Sequence, residues 1–283
     1  MDHVRWDERP RLRRPVLVAA FEGWNDAAES ATTAVRYLRD RWGGRPFASI
    51  DPEEFYDFSS TRPQVRLTDG FTREIVWPAN ELSAASLAHH DHDVVMLVGS
   101  EPQLRWRTFC AEVVDVAVEL RVELIVILGA LLADVAHTRP VKVSGSAASP
   151  ELVTRLGLQR SRYEGPTGIV GVLHDALAKA KVPSASLWAA VPHYVAATPS
   201  PKAALALVER AASLIEVPVV TADLAQLAAD YERQVSEVVA ADEDVSAYVS
   251  RLEESSDSEG LELTSGEELA AELQRFLREQ GEG

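Results

Sequence analysis

The chain has 283 residues, of which 46% are hydrophobic, which is enough for one large globular domain or for a domain with an appendage. Its single cysteine, Cys110, excludes a disulfide framework within the chain and is typical of a reducing, cytoplasmic compartment. The formal net charge of −16 is concentrated at 221–283, and positive charge clusters only at 9–14, so we expect no nucleic-acid partner.

A buried strand and a helix are predicted near the start of the chain. Residues 1–14 lack an apolar core, so we expect no signal peptide. The apolar run Val16 to Phe21 is typical of a strand that is buried on both faces. Asp26 and Glu29, three residues apart, predict a capping box for a helix that ends at Gly43.

The next elements are predicted from proline breaks and from apolar runs. Residues 45–78 favour antiparallel strands and hairpins at one edge of the main sheet. A second buried strand is predicted over 93–98, a helix over 106–120 and a third strand over 123–130. The apolar run 124–136 is too short to span a bilayer, so we expect no membrane partner.

The alternation of strands and helices then continues. Strands are predicted over 139–147 and 184–191, and helices are predicted to begin at Ser149 and to span 168–181 and 200–215. In the first and last of these helices a serine precedes a proline, which is typical of an N-cap followed by the first helical residue. This order predicts an α/β fold with a mainly parallel, mixed sheet flanked by helices.

The character of the chain changes at about residue 217. We expect an α/β domain over 14–217 and an acidic helical C-terminal extension over 218–283. In the extension, 224–239 is amphipathic, 253–260 is predicted to be an acidic linker, and a capping box predicts a last helix over about 264–278.

Familiar catalytic motifs are missing from the sequence. It has no P-loop, no dinucleotide fingerprint, no nucleophile elbow and no zinc-protease motif, so no catalytic residue, metal or cofactor is predicted. The "HHDH" of 89–92 is interpreted as a solvated loop, and Cys110 as a small buried side chain. The glycines of "GPTGIVG" at 165–171 are compatible with anion binding at a helix N-terminus or with close helix packing.

Binding residues are expected where strands end, because crevices in open α/β sheets form at the carboxyl ends of the strands. Gly23 is expected to make a bend and Asp26 to cap a helix, whereas Trp24 is expected to pack on another element or on a second subunit. The candidates for a crevice or an interface are Glu22, Gly23, Trp24, Asn25, Asp26, Ser100, Glu101, Arg105, Gly129, Asp134, His137 and His193.

Several of these residues lie in segments whose order is similar to that of a known family. The segments are "FEGWNDA" from residue 21, "GSEPQLRW" from residue 99 and "GALLADVAHTRPVKVSG" from residue 129, followed by "GPTGIVGVL" and "PHYV". Together they resemble the proteasome assembly chaperone 2 family in its actinobacterial form, over 14–216.

The resemblance implies a nucleoside phosphorylase-like α/β sandwich, self-association for which a trimer is one arrangement, and proteasome subunits as partners. Some relatives dock on proteasomes through a C-terminal hydrophobic–tyrosine–any motif, whereas this chain ends in "FLREQGEG", so we do not expect that mode of docking. The function implied is that of a non-catalytic interaction protein. The alternative is a small-molecule-binding protein or a hydrolase or phosphorylase-like enzyme that uses the crevice at the strand ends.

Overall fold

The strands and helices follow one another largely as the sequence predicts. The computed structural model describes residues 2–68, 70–147, 149–159 and 164–259. The strands are β1 (Val4–Trp6), β2 (Val16–Glu22), β3 (Arg45–Ile50), β4 (Gln64–Thr68), β5 (Thr72–Val76), β6 (Asn80–Ala85), β7 (Val94–Ser100), β8 (Leu124–Ala133), β9 (Val143–Ala147) and β10 (Ser184–Pro192). The helices are α1 (Ser30–Trp42), α2 (Trp106–Glu119), α3 (Pro150–Leu156), α4 (Ile169–Lys179), α5 (Pro201–Leu214), α6 (Ala222–Ala240) and α7 (Glu243–Glu259).

The main sheet has eight strands in the order β1-β3-β6-β7-β2-β8-β10-β9. The four central strands, β7, β2, β8 and β10, are parallel to one another. The flanking strands pair antiparallel on both sides. The predicted α/β fold with a mixed sheet is therefore confirmed, and the carboxyl ends of β2, β7, β8 and β10 meet at one edge, here called the carboxyl edge.

Strand β2 shows why helices cover both faces of the sheet. Its side chains alternate, so that Val16, Val18 and Ala20 join the core formed with α1, α3 and α5. The intervening Leu17, Ala19 and Phe21 join the core formed with α2 and α4. Each buried aliphatic side chain contributes about 1.5–3 kcal/mol to folding, so the continuous apolar run fixes this strand at the centre of the molecule.

The prediction for residues 45–78 was partly wrong. Strand β3 joins the main sheet, but β4 and β5 form a separate two-stranded sheet. The two sides of β3 are paired with β1 and β6 instead. Neither β1 nor β6 was predicted, since β1 has three residues and β6, "NELSAA", contains residues that are not typical of strands.

The helical extension differs from its prediction in one segment. Helix α6 is amphipathic as expected, but the linker predicted over 253–260 was wrong, because α7 continues to Glu259. The Glu253 carboxylate accepts a hydrogen bond from Thr138, so this acidic segment packs as a helix against the segment that follows β8. The helix predicted over 264–278 lies outside the described residues. In the part of the chain that the structure describes, no helix is long and apolar enough to cross a membrane.

Candidate functional site

The turn after β2 begins at Gly23 and reaches α1 later than the sequence predicts. Gly23 has a φ of 118°, which favours glycine, and its carbonyl accepts a hydrogen bond from the Asp26 N–H at 3.1 Å. Ala28 and Glu29 have φ values of 50° and 52°, so the regular helix starts at Ser30. The predicted capping box of Asp26 with Glu29 is therefore wrong, although Gly23 makes the expected bend.

Asp26 nevertheless caps α1, from a greater distance along the chain. Its buried Oδ1 accepts hydrogen bonds from the N–H groups of Ala31 at 2.6 Å and Thr32 at 3.2 Å. Burial raises the pKa of Asp26, while the hydrogen bonds from Thr32 and from the helix backbone oppose that rise. This carboxylate is used to satisfy the free amides of the helix start.

Glu101 joins the end of β7 to α4. Its Oε1 accepts hydrogen bonds from the Ile169 N–H at 2.7 Å and from Asn25 Nδ2 at 3.0 Å. Its own N–H donates to the Glu22 carbonyl at 2.8 Å. The N-terminus of α4 therefore binds a carboxylate of the same chain, where the sequence left open an external anion.

The glycine pattern before α4 is explained by close packing at the same point. A Cβ at Gly168 would lie 2.2 Å from Asn25 Nδ2 and 2.8 Å from Glu101 Oε1. Gly168 thus permits α4 to approach the corner after β2. We call Glu22, Asn25, Asp26, Glu101 and Gly168, together with Ser100, the corner network.

The remaining polar groups of the corner network also bond to one another. Ser100 Oγ donates to Glu22 Oε2 at 2.9 Å, and Arg36 of α1 forms an ion pair with Glu22. Tyr56 donates to the Ser100 carbonyl at 2.6 Å, and burial raises the pKa of its hydroxyl. The sequence did not indicate Arg36 or Tyr56, because neither stands next to a strand end.

Three other predicted site residues are placed differently. Gly129 lies inside β8 rather than in a loop, because the strand extends to Ala133. A Cβ at Gly129 would lie 2.6 Å from the Trp188 ring, so this glycine makes room for an aromatic side chain. Arg105, which precedes α2, forms an exposed ion pair with Glu54. Trp24 projects from the corner with 43% of its surface exposed.

Asp134 and His193 belong to a second group, at the ends of β8 and β10. His193 Nδ1 lies 2.9 Å from Asp134 Oδ1, and the Tyr248 hydroxyl of α7 donates to the same oxygen at 2.9 Å. The Tyr248 ring also packs edge-on against His193 and Tyr194. These contacts hold α7 against the carboxyl edge.

His137 binds the neighbouring helix α6. Its Nδ1 lies 2.8 Å from the Tyr194 hydroxyl, and its Nε2 lies 3.0 Å from Ser236 Oγ. Burial lowers the pKa of His137, and the Lys202 ammonium lowers it further. Burial raises the pKa of Tyr194 to about 12. We call Asp134, His137, His193, Tyr194, Ser236 and Tyr248 the helical seam.

Eight of the predicted site residues therefore fall into two networks, whereas Gly23 makes the bend, Trp24 is exposed, and Gly129 and Arg105 belong to neither network. Ser236 and Tyr248 were missed because they lie 99 and 114 residues from their partners and carry no local motif. Among the described residues, no group of three or more histidine, cysteine and acidic side chains could hold a metal ion. The carboxylates of the corner network already accept hydrogen bonds from backbone and side-chain donors.

Together, the mixed sheet, the helices on both faces and the interlocked corner define a three-layer α/β protein. The sequence model of the PAC2 family matches residues 20–239. The chain therefore belongs to the PAC2 family, as its resemblance predicted. No curated protein matches the chain.

Solved structures include chains that are similar to this one. A PAC2 family protein from Streptomyces avermitilis is 48% identical, with a TM-score of 0.78, over 83% of this chain and 99% of its own. A proteasome-assembly chaperone homologue from Mycobacterium tuberculosis is 49% identical, with a TM-score of 0.76, over the same shares. A Pyrococcus furiosus archaeal proteasome activator has a TM-score of 0.68 over 84% of this chain and 99% of its own, but at 16% identity it shares the fold alone.

Proposed function

We propose that this protein is a non-catalytic interaction protein that binds proteasome subunits in the manner of an assembly chaperone. Membership of the PAC2 family and the similarity to a chaperone homologue support the proteasome as the partner. The observation that carries the proposal is the state of the carboxyl edge. Its acidic groups bond to the protein itself, whereas Trp24 projects outward beside them.

The bonding at the corner argues for a structural use of its carboxylates. A general acid or base must reach the proton that it transfers, and it needs an oxygen directed at the substrate. Glu101 instead receives the N–H of Ile169 and the amide of Asn25 on one oxygen, and Glu22 is held by Ser100 and Arg36. Groups used in this way stabilise the corner and leave an exposed aromatic side chain above it.

Trp24 is the residue that we expect to contact a partner. Tryptophan is enriched among the residues that contribute most to protein interfaces, because it buries a large, rigid surface. The proposal also includes self-association, with a trimer as one arrangement, and a cytoplasmic location, which the single buried cysteine supports. The α/β domain over 14–217 would form the body and 218–283 a separate acidic helical extension.

The experiment is a pull-down with the full-length tagged chain and purified proteasome subunits. We expect the wild type to retain them, and Trp24→Ala to weaken binding by about tenfold or more. Val118→Ala is the matched control, because Val118 is an exposed apolar residue on α2, away from the corner. Retrieval of no proteasome subunit by the wild type would overturn the proposal.

A further inference from the structure

The hairpin formed by β4 and β5 stands apart from the rest of the fold. Each of the two strands pairs with the other and, among the described residues, with no strand of the main sheet. Every residue of β4 is exposed, as are all residues of β5 except Val76, which is half-buried. A two-stranded hairpin is marginally stable in water unless one face is covered.

One face of this hairpin is apolar although the chain does not bury it. The register places Val65 opposite Ile75 and Leu67 opposite Arg73, so these four side chains share a face. Val65, Leu67 and Ile75 are 57%, 58% and 49% exposed. On the other face Arg66 stands opposite Glu74. We call Val65, Leu67, Arg73 and Ile75 the hairpin face.

A second exposed apolar surface lies on the outer side of α6. Leu227 and Val238 are 56% and 72% exposed. They are eleven residues apart, close to three helical turns, so they lie on one side of the helix, with Gln234 between them. Glu237 lies beside them and makes no ion pair with another described residue. We call Leu227, Gln234, Glu237 and Val238 the α6 stripe.

The hairpin face and the α6 stripe are complementary in charge. Residues 62–74 hold three arginines against two acidic residues, whereas 222–259 hold eleven acidic and two basic residues. Arg73, which stands opposite Leu67 in the hairpin face, therefore matches the carboxylate of Glu237 in the α6 stripe.

We infer that the hairpin face of one copy of this chain binds the α6 stripe of a second copy. Both surfaces are exposed in the same chain, so they do not cover each other within it, and their pairing requires two molecules. Because the two surfaces are different, the contact is head-to-tail, and repetition of such a contact gives a ring where the rotation between neighbours closes. The inference rests on the self-association proposed above and names the surfaces that produce it.

The first test compares molar masses by light scattering at micromolar concentration. Leu67→Glu and Leu227→Glu, each on one of the two surfaces, are expected to raise the dissociation constant by about tenfold or more and to yield monomers. Thr68→Glu is the matched control, because Thr68 neighbours Leu67 but lies on the opposite face of the strand. Circular dichroism checks that every variant is folded, and all three positions are exposed.

The second test identifies the partner surface by disulfide formation. A mixture of Leu67→Cys and Val238→Cys proteins is expected to give a cross-linked dimer under mild oxidation, whereas neither protein alone does so. The native Cys110 is buried and does not compete. Cross-linking of Leu67→Cys with itself would overturn the inference in favour of a symmetric contact between hairpins.

The outcomes separate this inference from the proposal on which it rests. A monomeric wild type would overturn self-association and the inference together. An oligomeric wild type whose mass is unchanged by Leu67→Glu and Leu227→Glu would overturn only the inference. Loss of proteasome binding by Leu67→Glu without a change in mass would also overturn it, because the hairpin would then bind the proteasome.

Discussion

The corner network and the helical seam lie at the same edge of the sheet but use different chemistry. In the corner, the carboxylates of Asp26 and Glu101 accept hydrogen bonds from the backbone amides at the starts of α1 and α4. In the seam, the His137 imidazole bonds to Ser236 of α6, and the Tyr248 hydroxyl of α7 donates to the Asp134 carboxylate. The corner thus joins the ends of β2 and β7 to α1 and α4, whereas the seam joins the ends of β8 and β10 to α6 and α7.

This difference has a consequence for stability. A carboxylate that binds the amides at a helix start raises the free energy of global unfolding, because its helix packs on the central sheet. Side chains that hold an outer helix raise only the free energy of the local opening of that helix. Substitutions in the corner should therefore lower global stability, while changes at the seam should release α6 and α7.

The largest effect is expected from Glu101→Ala. This change leaves the Ile169 N–H and the Asn25 amide without their acceptor, and charge-assisted hydrogen bonds contribute about 1.5–3 kcal/mol each. We expect the free energy of unfolding, measured in urea, to fall by about 3 kcal/mol. Glu101→Gln keeps an acceptor oxygen and should lose less than half of that. Equal losses in the two variants would contradict a role for the hydrogen bonds.

A somewhat smaller decrease in the free energy of unfolding is expected from Gly168→Ala. The added Cβ would lie 2.2 Å from Asn25 Nδ2, so Asn25 or α4 must move and the bonds to Glu101 must lengthen. We expect about 2 kcal/mol of destabilisation in the same urea measurement. Ala176→Gly is the control, because it reports the ordinary difference in helix propensity between alanine and glycine in α4, about 1 kcal/mol. Gly157→Ala is not suitable, because Gly157 has a φ of 61° and alanine would be strained there. A Gly168→Ala protein as stable as the wild type would show that the corner tolerates a wider separation.

The corner network and the helical seam should differ in how their stability responds to acid. Burial and Lys202 lower the pKa of His137 below its ordinary 6.5, so the unfolded form takes up the proton first. Stability at the seam is therefore complete above pH 6.5 and falls as the pH drops from 6.5 towards the lowered pKa. Asp26 has a raised pKa, so its protonation does not destabilise the corner in the same way.

Hydrogen exchange at pH 7.5 and pH 5.5 measures this difference. We expect α6 and α7 to lose protection at the lower pH by more than α1 and α4 do, with an effect of about 1.4 kcal/mol for each unit of pKa displacement. His137→Gln keeps a polar side chain but cannot titrate, so its protection should depend less on pH. Equal loss of protection in all four helices would indicate that the seam is not the acid-sensitive part.

The sequence predicted those features that depend on neighbouring residues. Ser149 and Ser200 cap α3 and α5 by accepting from the N–H groups of Leu152 at 3.2 Å and Ala203 at 3.3 Å, three residues onward. The central strands were predicted because burial on both faces demands a continuous apolar run. These features depend on residues that are close together in the chain, so they can be predicted from the sequence alone.

The bonding of the candidate site depends on residues that are far apart in sequence. Glu101 is 68 residues from Ile169 and 76 residues from Asn25, so its role as the anion at α4 appears only after the sheet has assembled. The linker prediction for 253–260 was wrong for the same reason. It rested on acidic composition, whereas the contact of Glu253 with Thr138 spans 115 residues. The sequence placed the right residues at the strand ends but could not assign their partners.

The smallest effect is expected from Tyr248→Phe, which tests how the seam is divided between polar and aromatic contacts. The variant loses the hydrogen bond to Asp134 but retains a ring to pack against His193 and Tyr194. Because the hydroxyl is exposed and the carboxylate can bind water instead, we expect a loss of less than about 1 kcal/mol, measured as exchange protection of α7. Tyr248→Ala also removes the ring and should release α7 to a greater extent. If the two substitutions have equal effects, the hydrogen bond rather than the aromatic packing holds α7, and the seam would then depend on polar contacts as the corner does.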